Sequence, residues 1–466
     1  MKICVLQPDY STTDVDYKNY DPPRNLQALR PDDVIDHIFL NKLTTYKQLK
    51  ELSKQDYDIF VNLCEGYLDW SVPSIDVINT FDLLNLPYTG PNALLYDPSK
   101  PLMKYVAYAV GVKTPNSIVV KDLDNINAVN VLSFPLFVKP AHAGDSLGID
   151  DKSLVHNQEE LTAKVGDLLR GYDDVLVEQY IAGREFTVLV AANSDGQTCR
   201  SFNPVEFIFP NDKFFKTYSL KVTESHLGGH IPCTDSVLAN ELQLAAEKIF
   251  KGFEGVGYAR LDFRVDANNT IYFLEINFTC SVFYEEAYAG GADYILKYDA
   301  AGQSGFLNQI IEEGIARHKR KQKRYEVKGN GLFGYGVFAK EHIAINDVVF
   351  KGEAQAQRIV TKNYVQNNWD NKGKDDFKHY AFPISPDVYI LWDENPVNWS
   401  PQNHSCDPNT AYKGLNVVAL KEIIKGEELT LDYASFYDEN IDAFNCHCGS
   451  IKCRGLVSGT KGNKII

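Results

Sequence analysis

Four of the nine cysteines crowd the C-terminal part of the chain: Cys406, then Cys446, Cys448 and Cys453 in a Cys-x-Cys-x4-Cys run. This is the tightest constraint in the sequence, because sulfurs at such spacing can hardly all be packed as apolar side chains. The run supplies three thiolates of a tetrahedral zinc site, and Cys406 is the natural fourth. In a reducing compartment clustered cysteines point to metal before disulfide. His447 stands between two ligands and is expected to point away. Cys4, Cys64, Cys199, Cys233 and Cys280 are scattered and read as buried thiols.

The rest of the chain has a different texture. Lys2–Leu6 and Ile59–Leu63 read as buried parallel strands, with a helix over Asp76–Leu84 between the second strand and the Tyr88-Thr89-Gly90-Pro91 turn. That alternation predicts an open α/β sheet. Further strands are expected at Pro135–Val138, Val175–Val177, Phe186–Ala191 and Ile271–Leu274. Apolar spacing predicts helices over Glu159–Arg170, Leu238–Phe250 and about Gly305–Arg317. The basic run His318–Arg324 reads as a helix C-terminus entering a linker; a nuclear address is the alternative. Beyond it come short strands with Gly and Asn turns, so the boundary is placed near residue 322. At 466 residues the length implies several domains, and the net charge of -15 speaks against a general nucleic-acid binder. No apolar run reaches membrane-spanning length, so an intracellular protein, cytoplasmic or nuclear, with no membrane partner is expected.

Three segments carry chemistry in the first part. Phe134–Lys139 is a strand ending in a lysine, followed by the small-residue loop Gly144-Asp-Ser146-Leu-Gly148, able to close over phosphates with backbone N–H groups. Val175–Glu178 and Glu185–Val188 flank a linker that could meet adenine, with Glu178 and Glu185 facing the amino group and the ribose; an exposed β-hairpin is the plainer alternative. In Gly257–Val265 and Ile271–Phe278, residues two apart share a strand face. Arg260 and Asp262 therefore face one way, as do Glu275 and Asn277. Two carboxylates and a carboxamide suit Mg²⁺, and an arginine beside them can hold a phosphate.

In this order the segments resemble the ATP-grasp superfamily, in its D-alanine–D-alanine ligase-like branch, over residues 1 to 316. The resemblance implies an N-terminal subdomain with an open parallel sheet over 1–95 and the nucleotide-binding and catalytic subdomains over 96–322. It implies that Lys100, Lys139 and Lys216 bind phosphates of Mg-ATP together with Ser146. Glu178 to Ile181 would contact adenine, and Glu185 the ribose. Asp262, Glu275 and Asn277 would hold magnesium, and Arg260 would steady an acyl-phosphate. The implied reaction joins a small carboxylate to an amine. The runs Gln7-Pro-Asp9-Tyr10-Ser11 and Phe278-Thr-Cys280-Ser281-Val-Phe283-Tyr284 depart from the D-alanine pattern. A different amino acid, peptide or small acid is expected.

In the second part, Gly329-Asn-Gly331 and Gly334-Tyr335-Gly336 form a glycine-rich hairpin. Asn403-His404-Ser405-Cys406, Gly426-Glu-Glu-Leu-Thr-Leu-Asp432-Tyr433 and the cysteine tail follow. These strings resemble the SET methyltransferase family with its post-SET zinc tail, implying a mostly β SET domain over 323–440 and the tail over 441–466. By that resemblance Gly334, Tyr335, Gly336, Asn403 and His404 contact S-adenosylmethionine, Tyr433 is catalytic beside the cofactor, and the structural zinc closes the site. Two features leave the acceptor and the number of methyls open: Leu431 stands where Phe or Tyr is usual, and the lead-in 393–402 differs from the family's. The whole chain is expected to be bifunctional, methylating a protein lysine or the ligase's own substrate or product. The alternative is a methyltransferase whose ATP-grasp half only binds or assembles.

Overall fold

The structure is a computed structural model describing residues 1–13, 21–66, 71–142, 144, 146–210, 214–217, 229–330, 334–392, 401–439 and 442–459. Gly331 of the glycine-rich hairpin and residues 393–400 of the lead-in to Asn403 lie outside these. The chain divides into two compact units, Met1–Arg320 and Lys321–Ile466.

The first unit opens with β1 (Lys2–Pro8), flanked in a parallel sheet by β2 (Val34–Leu40) and β3 (Ile59–Asn62). Side chains alternate across it, as the period of a strand requires. Cys4, Leu6 and Phe60 pack against α1 (Thr45–Leu52) and α2 (Ile75–Leu84). Ile3, Val5, Ile59 and Val61 share a core with Phe306, Leu307, Ile310 and Ile311 of the long helix Gly302–Lys321. Both faces are covered, which is why the strands read as unbroken apolar runs.

A second, antiparallel sheet follows α3 (Lys100–Ala109). It orders β4 (Ser117–Val120), β7 (Val175–Gln179), β5 (Leu136–Pro140) and β6 (Leu154–Val155). The helix α4 (Gln158–Leu168) covers one face through Leu161, Val165 and Leu168. A third sheet contains β8 (Arg184–Ala192) beside the strand Tyr258–Val265, which pairs with the strand Ile271–Asn277. The helix Ser236–Gly252 and Met103 and Ala107 of α3 pack on it. Strands β7 and β8 belong to different sheets, so no hairpin joins Glu178 to Glu185; the 180–183 segment is a connection between sheets. Gly183 enables that crossing: φ is +145°, and a Cβ there would collide with the Val265 carbonyl.

The second unit is built of short strands, as the turn-rich sequence predicts. The strands Tyr325–Asn330 and Gly334–Ala339 pair antiparallel. The parallel pair of short strands Asn403–His404 and Thr430–Leu431 brings together two strings far apart in sequence. The helices Lys362–Asn368 and Asn371–Tyr380 run against the expectation of strands alone. Their sequences are too polar to show helical apolar spacing. Their caps are legible afterwards: Thr361 Oγ1 accepts from Tyr364 N at 3.2 Å, and Asp370 Oδ1 from Gly373 N at 2.8 Å. Val365 and Phe377 anchor them on Tyr389 and Leu391.

Candidate active sites

In the first unit Asp262 stands opposite Glu275 in the register of Tyr258–Val265 with Ile271–Asn277, and Arg260 opposite Asn277. Arg260 Nη2 lies 3.3 Å from Asp262 Oδ2. Burial would raise the Asp262 carboxyl, but Arg260 and Lys216 outweigh it and hold the group at about 2. Asp262 Oδ1 is buried without a well-formed hydrogen bond, the nearby Thr187 hydroxyl lending it only partial support. Such an orphaned carboxylate oxygen facing a second carboxylate fits a hard divalent cation. Asn277 fits less simply, since its Oδ1 already accepts from Thr279 N at 2.8 Å and from Thr279 Oγ1 at 3.2 Å. A carbonyl oxygen keeps a second lone pair for a metal.

The lysines surround this carboxylate group. Ser99 caps α3, and Lys100 at its head is buried 3.9 Å from Glu275 Oε2. Lys139, at the end of β5, reaches Glu178 Oε1 at 2.6 Å. Glu178 Oε2 is held at 2.6 Å by Lys104, one helical turn beyond Lys100. Burial opposes the charge on Glu178, yet Lys104 and Lys139 bring its carboxyl down to about 2. Burial also lowers Lys100 and Lys104. It works the same way on Lys139, where Glu178 and Glu275 prevail and raise it. Lys216 Nζ is 2.8 Å from Glu185 Oε1, and Arg264 Nη2 is 2.9 Å from Glu185 Oε2. Both oxygens of Glu178 and both of Glu185 are thus on cations. Ser146 is half-buried, with φ of +57°, in the loop after Lys139, and Ile181 is half-buried in the inter-sheet connection.

The two runs that depart from the D-alanine pattern meet at the buried Arg24. Gln7 Oε1 accepts from Arg24 N at 2.6 Å, and Arg24 Nη1 lies 3.5 Å from Glu65 Oε1. Tyr10 and Tyr284 both donate to Asp21, and Ser281 Oγ donates to Glu65 at 2.7 Å. A cavity of about 270 Å³ opens here, lined by Gln7, Asp9, Tyr10, Asp21, Arg24 and Phe39 among others.

In the second unit the ligand sulfurs of Cys406, Cys446, Cys448 and Cys453 all lie within 4.8 Å of one another. The Cys406–Cys446 separation is 3.8 Å. That is far beyond a disulfide bond and close to the ~3.8 Å edge of a tetrahedron with ~2.3 Å Zn–S bonds. Backbone N–H groups point at the sulfurs: Cys448 N at Cys446 Sγ (3.4 Å), and Cys406 N at Cys448 Sγ (3.5 Å). Burial opposes ionisation of Cys448, but the N–H groups of Cys406 and Ser450 carry its thiol down to about 6. The donor set fits zinc. Beside it, Asn403 Nδ2 donates to Tyr335 O and to Glu428 Oε1, both at 2.8 Å. This ties the glycine hairpin to the Gly426–Tyr433 string. Gly336 lies so close to Glu428 that a Cβ would meet its carboxylate, and Gly334 takes φ of +85°. The Tyr433 hydroxyl donates to Gln402 O at 2.5 Å, within a cage of His404, Phe436, Tyr437 and Phe444 rings.

Comparison with known proteins finds a match within each unit. Residues 107–294 match the D-ala D-ala ligase C-terminus, and residues 334–434 match the SET domain. Part of the first unit is thus similar to D-alanine–D-alanine ligases, and part of the second to SET domains. The D-alanine–D-alanine ligase of Pseudomonas entomophila is 33% identical over 202 residues, covering 42% of this chain and 59% of the relative. That of Syntrophotalea carbinolica is 34% identical over 201 residues, covering 42% and 61%. The chain thus spans less than two thirds of these relatives' length. Among solved structures, the Bacillus anthracis D-alanine–D-alanine ligase complexed with ATP aligns with a TM-score of 0.51 at 20% identity, over 69% of this chain and 99% of that one. The Coxiella burnetii enzyme aligns with a TM-score of 0.50 at 20% identity, over 69% and 97%. The ATP-grasp unit therefore has the fold of those ligases.

Sequence reasoning missed three side chains in these two units, Lys104, Arg264 and Arg454, and one contact of a residue it did name, His404. Lys104 lies one turn from Lys100 on the same helix face, and Arg264 follows Arg260 and Asp262 at strand period; both spacings are visible in the sequence. The other two, the imidazole of His404 as a partner of Cys406 and Arg454 as a partner of Asp432, depend on tertiary contacts that no spacing reveals. In the SET unit no helix among the described residues is long and apolar enough to cross a membrane, and the same holds for the ATP-grasp unit.

Proposed function

We propose that the ATP-grasp unit, residues 1–95 with 96–322, is an ATP-dependent carboxylate–amine ligase. We further propose that the SET unit, 323–440 with the tail 441–466, transfers methyl from S-adenosylmethionine to a lysine or another amine. One observation supports the ligase most: buried cations and carboxylates interleave, with Lys139 and Lys104 on Glu178, Lys100 near Glu275, Lys216 and Arg264 on Glu185, and Arg260 on Asp262. Such an array can position a polyphosphate and neutralise it.

In this reading a carboxylate oxygen attacks the γ-phosphorus of ATP, ADP leaves, and an amine then displaces phosphate from the acyl-phosphate. Lys100, Lys139 and Lys216 exchange their carboxylate partners for phosphate oxygens. Arg260 holds the acyl-phosphate, and Ser146 closes the phosphate loop. Ile181 and its neighbours meet adenine through backbone groups. Glu178 and Glu185, released from Lys139 and Lys216, face the adenine amino group and the ribose, while Lys104 stays on Glu178. Asp262, Glu275 and Asn277 would hold magnesium, which supplies charge neutralisation at the transferring phosphoryl group. The acid and the amine are small molecules chosen at the cavity beside Asp9, Tyr10 and Arg24. In the SET unit, Gly334 to Gly336, Asn403 and His404 would bind the cofactor. The cage around Tyr433 would exclude water from the accepting amine.

Phosphate release from ATP with a panel of amino acids and small acids tests the ligase. Glu275→Gln should lower turnover on the order of 100-fold or more with an unchanged circular-dichroism spectrum. Equal rates in variant and wild type would remove the metal assignment. No phosphate release with any substrate pair, alongside active methyl transfer, would leave the binding-module alternative.

A further inference from the structure

The cysteine cluster and Tyr433 are joined by two short paths, neither of which the sequence revealed. The first runs through His404. The backbone N–H of Tyr433 can only donate, and it meets His404 Nδ1 at 3.1 Å. Nδ1 must therefore accept, which leaves the ring proton on Nε2. Nε2 lies 3.3 Å from Cys406 Sγ, so it donates to that sulfur. The tautomer follows from a donor whose role is fixed. His404 is well buried, with 5% side-chain exposure, so the ring has little freedom to relax.

The second path starts in the tail. The Arg454 N–H points at Cys406 Sγ at 3.4 Å, and its guanidinium pairs with Asp432, the residue before Tyr433. Asp432 Oδ1 also accepts from Ala434 N at 3.1 Å, capping the turn that carries the tyrosine. Both paths converge on one sulfur and end on the peptide N–H groups on either side of Tyr433, its own and that of Ala434. A metal-bound thiolate is a stronger and better-fixed acceptor than a free thiol, and groups hydrogen-bonded to metal ligands orient them and are oriented in turn.

We infer that His404 and Arg454 are positioning residues that make the metal state of the cysteine cluster set the orientation of Tyr433. The tail then does more than wall off the site. Occupied thiolates fix the His404 ring and the Arg454 backbone, and these hold the Asp432–Tyr433 turn with the hydroxyl against Gln402. Loss of the metal releases both. This rests on the methyltransferase reading only for its catalytic consequence, not for the mechanical coupling.

The test uses the full chain with 3-fluorotyrosine placed at position 433, read by ¹⁹F NMR together with zinc content and methyl transfer. Chelation should move the 433 resonance. Arg454→Ala should keep one zinc per chain and still move the resonance toward the chelated position. Its kcat should fall on the order of 10-fold, with KM for S-adenosylmethionine within about 2-fold. Arg454→Lys, which keeps a cation near Asp432, should recover part of both signals. If Arg454→Ala loses zinc, Asp432→Asn carries the test, because it touches no thiol and its Oδ1 still caps the turn. A zinc-loaded variant whose resonance and kcat match wild type overturns the inference, as does a resonance unmoved by chelation. If wild type transfers no methyl to any acceptor, the methyltransferase reading fails while the resonance still decides the coupling.

Discussion

The two candidate sites hold themselves together by opposite means. In the ATP-grasp unit nearly every functional side chain is charged, and the charges neutralise one another: Lys139 and Lys104 share Glu178, Lys216 and Arg264 share Glu185, Arg260 takes Asp262, and Lys100 faces Glu275. In the SET unit most of the corresponding contacts are neutral or thiol-based, an amide on a carbonyl, a tyrosine on a carbonyl, an imidazole on sulfur, with Arg454–Asp432 as an ion pair beside them. A self-paired charged site can keep its shape without its ligand, because each buried ion already has a partner. A cluster of four converging sulfurs has no such internal compensation, and its geometry depends on the metal it fits.

Metal removal is the strongest way to break that comparison. Chelation should unfold the 442–459 tail and lower the melting temperature of the SET unit steeply, since structural zinc in small domains supplies on the order of 10 kcal/mol. The same treatment should abolish ATP turnover yet leave the ATP-grasp unit's melting transition in place. Differential scanning calorimetry with and without chelator separates the two transitions. A SET transition that stays put would mean that the sulfurs are not a structural metal site.

A smaller effect is expected from cutting one arm of the paired charges. Lys104→Met leaves Glu178 Oε2 buried without its cation. Breaking a buried pair in this way costs about 3–5 kcal/mol, so the ATP-grasp unit should melt earlier while the SET unit does not change. Glu178→Gln in the same background should restore part of the loss, because the amide carries no charge to strand. Additive losses in the double variant, measured by denaturant unfolding, would show that Lys104 and Glu178 are not a functional pair.

What the sequence disclosed follows the same division. The parallel strands Lys2–Leu6 and Ile59–Leu63 were legible because burial on both faces leaves no polar interruption. The alignment of Arg260 and Asp262 with Glu275 and Asn277 was legible because a strand has a period of two, and the register then set them opposite. The cysteine quartet was legible from spacing and residue type. The helices at 362–380 were not, since their polar faces carry no apolar stripe. The pairing of Glu178 with Lys104 of α3 and Lys139 of β5 was not legible, because partner choice among many charges is a tertiary matter. The pairing of Asn403-His404 with Thr430-Leu431 was likewise invisible, although the resemblance had already brought the two strings together.

The mildest expected effect concerns two buried groups of the ATP-grasp unit that titrate with opposite consequences. Burial raises the Asp293 carboxyl to about 6, against the N–H groups of Gly290, Phe283 and Tyr284 and the Gln303 side chain. Burial, reinforced by Lys216 and Arg260, lowers His230 to about 4, where its ring stacks 4.4 Å from Tyr294. Between pH 4 and 6 the folded state binds more proton at Asp293 than the unfolded chain does, so this group's contribution is full below about pH 4 and is lost as pH rises through 6. His230 behaves the other way: the unfolded chain binds the proton first, so its contribution is full above about pH 6.5 and is lost as pH falls toward 4. Each shift is worth about 3 kcal/mol at most, and the two slopes offset one another in wild type. Stability of the ATP-grasp unit should therefore vary little with pH across this window. Asp293→Asn should uncover a stability that rises with pH, and His230→Gln one that falls. Urea unfolding at pH 4.5, 5.5 and 6.5 reads both slopes, and parallel curves for the two variants would contradict the assignment.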